Sequence, residues 1–422
     1  MAILDLFPDS ASLRGADLTV GGVRASALAE EFGTPLVVYC EQTVRARAQA
    51  YREAAPDALT LYGSKAFPNV ALLRLLADAG VGADVSTLGE LELALRAGVP
   101  AERIVMHGNN KSDEELFRAA EADVWLVVLD AEDEAEAAAA AGVRRVLVRV
   151  TPGIDPDTHD AIKTGHRGSK FGLPPEQALP LIRRAGELGL EVQGLHVHLG
   201  SQLLDVSPAR FSVDWLAGFA AECRAELDWT PAVVDVGGGL GIRYVESDRA
   251  PSIAGFAGTI VDRLRRAWAL HSLPEPTLVF EPGRSLVGEA GVTLYRVGVV
   301  KRASETTTYV AVDGGMSDNP RPQLYEARFS CLLANRADEA PTGAFTVCGL
   351  HCESGDVLVE RASLPEPRRG DLLAVPATGA YTLAMASNYN AVPRPAAVLV
   401  SGGSARLIRR RETLDDLLSL EA

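Results

Sequence analysis

What most constrains this chain is a rhythm. Short apolar runs of strand character recur eight times, at Leu59 to Ser64, Val81 to Ser86, Ile104 to Gly108, Val124 to Leu129, Arg145 to Val150, Gly194 to Leu199, Val233 to Gly237 and Leu278 to Phe280. Segments with helical patterning lie between them. Examples are Glu90 to Ala97, closed by Gly98 at a C-cap position, and Ala131 to Ala141, almost entirely Ala, Glu and Asp. Eight strand–helix units over about 225 residues match a (β/α)8 barrel in count and size. A doubly wound sheet usually has fewer strands.

At 422 residues the chain exceeds one ordinary core, and the pattern shows where it divides. Before the barrel, Pro35 to Cys40 reads as a strand and Glu41 to Ala54 as a helix. Past Gly283 the helices thin out. Val292 to Val300, Thr307 to Val312, Ala344 to Val347, Asp356 to Glu360, Asp371 to Val375 and Ala396 to Val400 read as strands separated by turn residues, the pattern of an antiparallel sheet. The expected architecture is α/β: a barrel over residues 41–285, and a barrel-like or sandwich-like β-domain made of 286–422 with a contribution from 1–40. The insert Thr151 to Gly172, rich in Gly, Asp and His, is expected to be a functional loop.

Composition narrows the function classes. A net charge of −15 disfavours a nucleic-acid partner. No stretch reaches the roughly 18 apolar residues of a membrane helix, and the N-terminus lacks the basic and apolar regions of a secretory leader. A cytoplasmic protein is expected. The five scattered cysteines do not suit a disulfide framework, and Cys348 and Cys352 have no second Cys/His pair, so no metal is expected.

The chemistry gathers at the strand ends. The first barrel strand runs directly into Lys65, and ligands of parallel α/β proteins bind at that end of the strands. Asp84 to Glu90, His107 to Lys111, His196 to Ser201, Gly237 to Gly241 and Glu281 to Arg284 are further polar, Gly-rich strand ends. Each alone reads as a satisfied turn; repeated around one barrel face they read as a site. Consecutive glycines let backbone N–H groups approach an anion, and Ser201 and the Gly283 turn can add donors. Neither a Walker A lysine nor an early Gly-x-Gly-x-x-Gly is present. A phosphate cradle, a lysine able to form a Schiff base, a histidine able to stack and a carboxylate able to pair with a ring nitrogen together describe pyridoxal phosphate.

These motifs, with Thr164-Gly165, Ser169 to Gly172, Asp313 to Met316, Arg321 to Tyr325, Cys352 to Asp356, Gly379 to Tyr381 and Ser387 to Asn390, run over nearly the whole chain. In them the sequence resembles the alanine-racemase-type barrel decarboxylases (fold type III) that use pyridoxal 5'-phosphate, and among these most resembles the diaminopimelate decarboxylases. The resemblance implies that Lys65 carries the cofactor as a Schiff base, that His198 stacks on its ring, and that Glu281 pairs with its ring nitrogen. It further implies that Ser201, Gly238, Gly239, Gly283, Arg284 and Tyr381 hold the phosphate. The family forms a homodimer in which Cys352 and Glu353 reach into the partner's site, with Cys352 as proton donor.

A substrate with a second amino-acid head needs cations for its distal carboxylate and an anion for its ammonium. Arg284, Arg321 and Tyr325 match the positions that bind this carboxylate in the family, and Glu353 the position that binds the ammonium, with Tyr381 beside them. The implied reaction is decarboxylation of meso-2,6-diaminopimelate to L-lysine. Two alternatives stay open: a sister decarboxylase of another carboxylated amino acid such as carboxynorspermidine, and a non-catalytic homologue that binds a partner, against which Lys65, Cys352 and Glu281 argue.

Overall fold

The computed structural model describes residues 2–152, 169–198 and 200–422. Thr164-Gly165, most of the Thr151 to Gly172 insert, and Leu199 lie outside the described residues. The chain divides into two compact units, one made of Met1–Ala46, Ile242–Arg249 and Leu286–Ala422, the other of Arg47–Gly241 and Ala250–Ser285.

In the second of these, parallel strands close into a barrel in the order Glu191–His196, Val233–Asp235, Thr277–Phe280, Leu59–Gly63, Gly82–Val85, Ile104–Met106, Leu126–Leu129 and Arg145–Arg149. These are the eight runs read from the sequence, with ends shifted by a few residues. Leu61, Val105, Leu126, Val128, Leu147, Val233 and Val279 fill the barrel as one buried apolar cluster. Three of the helices between strands start on side-chain caps: Asn69 accepts from the amides of Ala71 and Leu72, Thr87 from that of Glu90, and Ser112 forms a capping box with Glu115. The sixth strand begins at Glu191, earlier than expected, because the pairing with Arg145 survives a register shift between Val192 and Gly194. Gly194 reads as a boundary in sequence, yet here it lies within the strand, where a Cβ would stand 1.8 Å from the Val233 carbonyl oxygen.

Register then decides which strand ends are neighbours. His196 pairs with Arg149 on one side and with Asp235 on the other, while Gly63 pairs with Asp84. Ionisable residues from several strands thus stand at the same level of one barrel face.

The other unit is built on a sheet running Val357–Leu364, Gly343–Cys348, Thr308–Val312, Gly291–Arg302, Leu36–Cys40, Ala396–Ser401 and Ser404–Arg409, with Leu372–Pro376 and Leu332–Leu333 attached to the side. Pairing is antiparallel except at two places, Thr308–Val312 with Gly343–Cys348 and Leu36–Cys40 with Ala396–Ser401. The twelve-residue strand Gly291–Arg302 belongs to both halves of this sheet. Val292 and Leu294 pack into a core with Leu18, Leu28, Val38 and Val398, and Tyr295 and Val297 into a second with Val310, Phe345 and Val375. The N-terminal segment also forms a small sheet of Ser12–Arg14, Asp17–Val20 and Val23–Arg24, and a helix, Ala25–Phe32. Neither this sheet nor the strand Ser404–Arg409 is anticipated from the sequence, because their residues are short and largely polar and carry no clean period.

Candidate active site

Lys65 lies in a single 3-10 turn, Ser64–Ala66, between the end of the first barrel strand and the helix capped by Asn69. Its neighbours Ser64, Ala66 and Phe67 are fully buried, and the Tyr62 hydroxyl donates to the Phe67 carbonyl at 3.2 Å. The turn is thereby pinned while Lys65 itself is exposed. The Ser64 hydroxyl beside it is buried with no hydrogen-bond partner among the described residues.

At the same barrel face lies a buried group of ionisable side chains. His107 Nε2 is 2.5 Å from Glu281 Oε1 and 3.8 Å from Asp84 Oδ1, and His196 Nε2 is 3.4 Å from Glu281 Oε2. Donor atoms of His107, His196, Asp235 and Glu281 all lie within 4.8 Å of one another. Burial by itself would raise the pKa of Glu281, but His107 and then His196 outweigh it and hold this carboxyl well below the usual range. Its neighbours move the opposite way. Burial, then the charge of Glu281, raises Asp84 to about 6 and pushes Asp235 well above its ordinary value. Burial lowers His196 to about 3. In this cluster Glu281 is therefore the carboxylate held most firmly in its charged form.

His198 is half-buried, and its Nδ1 accepts from the Gly238 amide at 3.3 Å. Burial, with the positive charges of Lys65 and Arg149, holds its pKa well below the usual value, so the ring is neutral. Gly237, Gly238 and Gly239 form a turn that no side chain could occupy. Gly237 and Gly239 have φ of +65° and +106°, and a Cβ on Gly238 would stand 2.3 Å from the Glu281 carbonyl oxygen. Next to this turn Arg284 donates to the Ser201 hydroxyl at 2.9 Å, and Gly283 is buried. Side-chain-free backbone beside an Arg-held hydroxyl is a donor set suited to an anionic head.

The remaining candidates lie in the sheet unit. Arg321 is 6% exposed, and its guanidinium carbon sits 5.5, 5.4 and 5.9 Å from the ring centroids of Tyr244, Tyr325 and Tyr381. Tyr381 holds a φ of +59°. Cys352 and Glu353 are exposed in the loop between Gly343–Cys348 and Val357–Leu364. The Gln323 amide donates to the carbonyls of Gly355 and Val357, which ties the helix Arg321–Tyr325 to that loop.

Several residues of these clusters have no assigned role in the sequence reading. Asp84, His107 and His196 stand out there only as polar strand ends, while Asp235, Arg149 and Tyr244 do not stand out at all. The available signal was an ionisable residue closing an otherwise apolar run, as in Val233-Val234-Asp235 and Arg145 to Arg149.

Comparison with known proteins agrees with this geometry. Residues 41–288 match the family model described as pyridoxal-dependent decarboxylase, pyridoxal binding domain. The chain is 47% identical to the diaminopimelate decarboxylase of Actinosynnema pretiosum subsp. auranticum, over 99% of this chain and 95% of that protein. It is 40% identical to the diaminopimelate decarboxylase of Bacillus subtilis (strain 168), over 96% and 95% of the two chains. The crystal structure of diaminopimelate decarboxylase from M. jannaschii in complex with L-lysine superposes with a TM-score of 0.92 at 34% identity, covering 98% of both chains. With a model matching more than half its length and relatives matching nearly all of it, this chain belongs to the pyridoxal-dependent decarboxylases, in the group formed by the diaminopimelate decarboxylases.

Proposed function

We propose that this chain decarboxylates meso-2,6-diaminopimelate to L-lysine and CO2, the final step of lysine biosynthesis, with pyridoxal 5'-phosphate as cofactor. One observation carries the reading: an exposed lysine, a carboxylate held in its charged form and a three-glycine turn share one face of a closed barrel. Relatives that match nearly the full length carry the same activity in their names.

When bound, the cofactor supplies an electron sink for the pair released as CO2 leaves. Lys65 would attach it, and Glu281 would offer its ring nitrogen a negative partner. His198, a neutral imidazole, would pack against the ring without adding a competing charge. Ser201 and Arg284, with the backbone of Gly238, Gly239 and Gly283 and the hydroxyl of Tyr381, would hold the phosphate. Arg321 and Arg284, with Tyr325, take the distal carboxylate of the substrate, and Glu353 takes its ammonium. Cys352 delivers the proton that replaces the carboxyl group. Burial of Arg321 among three aromatic rings fits a carboxylate receptor, since a guanidinium shielded from water pairs more strongly.

Two parts of the reading concern assembly and place. A homodimer that shares its sites is supported by exposed apolar side chains on and around the Cys352 loop: Leu350 on it, Tyr389 packed near His351, and Leu324 and Tyr325 in the helix that Gln323 ties to it. Among the described residues no helix is long and apolar enough to cross a membrane, and a biosynthetic decarboxylase of this kind belongs in the cytoplasm.

The test is a product assay with the purified, cofactor-loaded protein and four substrates side by side: meso-diaminopimelate, ornithine, arginine and carboxynorspermidine. Lysine is expected from the first at the highest kcat/KM. Faster turnover of any other substrate would overturn the assignment, and so would the absence of turnover from a protein that shows the cofactor absorbance.

A further inference from the structure

The loop that carries Cys352 and Glu353 is exposed along residues 352–355, yet it is bounded by two buried residues, His351 and Asp356. Asp356 is 3% exposed and makes hydrogen bonds to two separate segments. Its Oδ1 accepts from the Met316 amide at 2.7 Å, and its Oδ2 accepts from the His351 amide at 2.9 Å. Its own backbone closes the loop, with its N–H donating to the Glu353 carbonyl at 3.1 Å and its carbonyl accepting from the Gly349 amide at 2.9 Å. The space the carboxylate fills exists because two neighbours lack side chains. A Cβ on Gly349 would stand 2.1 Å from Asp356 Oδ2, and one on Gly315 would stand 2.6 Å from the same atom. On the other flank His351 Nδ1 contacts the Asn390 side-chain oxygen at 3.1 Å, and the His351 ring packs 5.4 Å from that of Tyr389.

We infer that Asp356 is the positioning residue of the reaction's proton donor: its carboxylate fixes the 350–355 loop to the 314–316 segment and so sets where Cys352 and Glu353 project. Two N–H donors on opposite carboxylate oxygens are satisfied only by an acceptor at both positions. An amide in its place must turn an NH2 toward one of them, leaving a buried donor unpaired and the loop base loosened. A displacement of about 1 Å at a proton donor costs on the order of a hundredfold in rate. The inference rests on the reading of Cys352 as the proton donor.

The experiment is Asp356→Asn in the cofactor-loaded enzyme. The expected result is a kcat reduced on the order of a hundredfold with KM for diaminopimelate and the cofactor absorbance within about twofold of wild type. In mixed dimers the variant should regain activity with Lys65→Ala chains and none with Cys352→Ala chains, because Asp356 and Cys352 serve the same loop. A near-normal kcat, a loss shared equally by cofactor binding, or recovery with Cys352→Ala would each overturn the inference. Should Asp356→Asn fail to fold, Gly349→Ala, which crowds the carboxylate while keeping it, takes the same measurements with the same outcomes. A Lys65→Ala and Cys352→Ala mixture run in parallel tests the shared site separately. If that pair fails to recover, the shared-site reading falls, and the inference is decided by the kcat, KM and absorbance of the single variant.

Discussion

Glu281 and His107 form one buried hydrogen-bonded pair, with Oε1 and Nε2 2.5 Å apart and both side chains less than 10% exposed. The pair joins the third barrel strand's end to the eighth's, and it keeps Glu281 charged where burial alone would protonate it. Removing His107 strands that charge. His107→Ala should weaken cofactor binding markedly and lower stability by about 1–3 kcal/mol, the usual cost of leaving a buried hydrogen-bonding group without its partner. His107→Gln, which can still donate, should do less. Cofactor titration by absorbance checks this, and an unaltered Kd in His107→Ala would show that Glu281 does not depend on the histidine.

Asp84 gives the same cluster a pH signature. Its pKa is raised to about 6, so the folded protein holds a proton that the unfolded chain releases near 4. The folded state binds more protons in that window, and the stability contributed by this group falls as pH rises from about 4 to 6. Asp84→Asn should remove this slope, so that the variant gains on wild type across the window and keeps a constant difference above it. Denaturant midpoints at a series of pH values read this directly; parallel curves for the two proteins would contradict it.

Arg321 lies close to three aromatic rings and should act on substrate, not on cofactor. Arg321→Ala removes a charge-assisted partner of the distal carboxylate, about 1.5–3 kcal/mol. KM for diaminopimelate should rise by one to two orders of magnitude, roughly that energy converted at 1.4 kcal/mol per tenfold, with cofactor absorbance unchanged. An unchanged KM would argue against the substrate.

Lys65 and Cys352 are proposed to act together across a dimer. Lys65→Ala and Cys352→Ala chains should each be nearly inactive, yet a mixture should recover activity, since a hybrid dimer places both defects in one site and leaves the other intact. Random exchange makes about half the dimers hybrid with one working site of two, giving roughly a quarter of wild-type activity. No recovery after subunit exchange has been demonstrated by mass would assign both residues to a single chain's site.

Much of the barrel was written in local pattern. Eight apolar runs with helical segments between them carry their own length and period, and helical or strand character is set largely within each segment. Lys65 at a strand end and the glycines at 237–239 were equally legible, since a lysine closing a strand and a run without side chains are local facts. What the sequence did not contain is register. Only the closed barrel sets His196 beside Arg149 and Asp235, and only the histidines gathered there leave Glu281 charged while burial raises Asp84 and Asp235. The small N-terminal sheet escaped for a related reason, because short polar strands gain their order from the elements they pair with. Asp356 shows the same division. Its motif is visible as letters, but its role depends on Gly315 and the Met316 amide, from a segment some forty residues away that tertiary structure alone brings to its carboxylate.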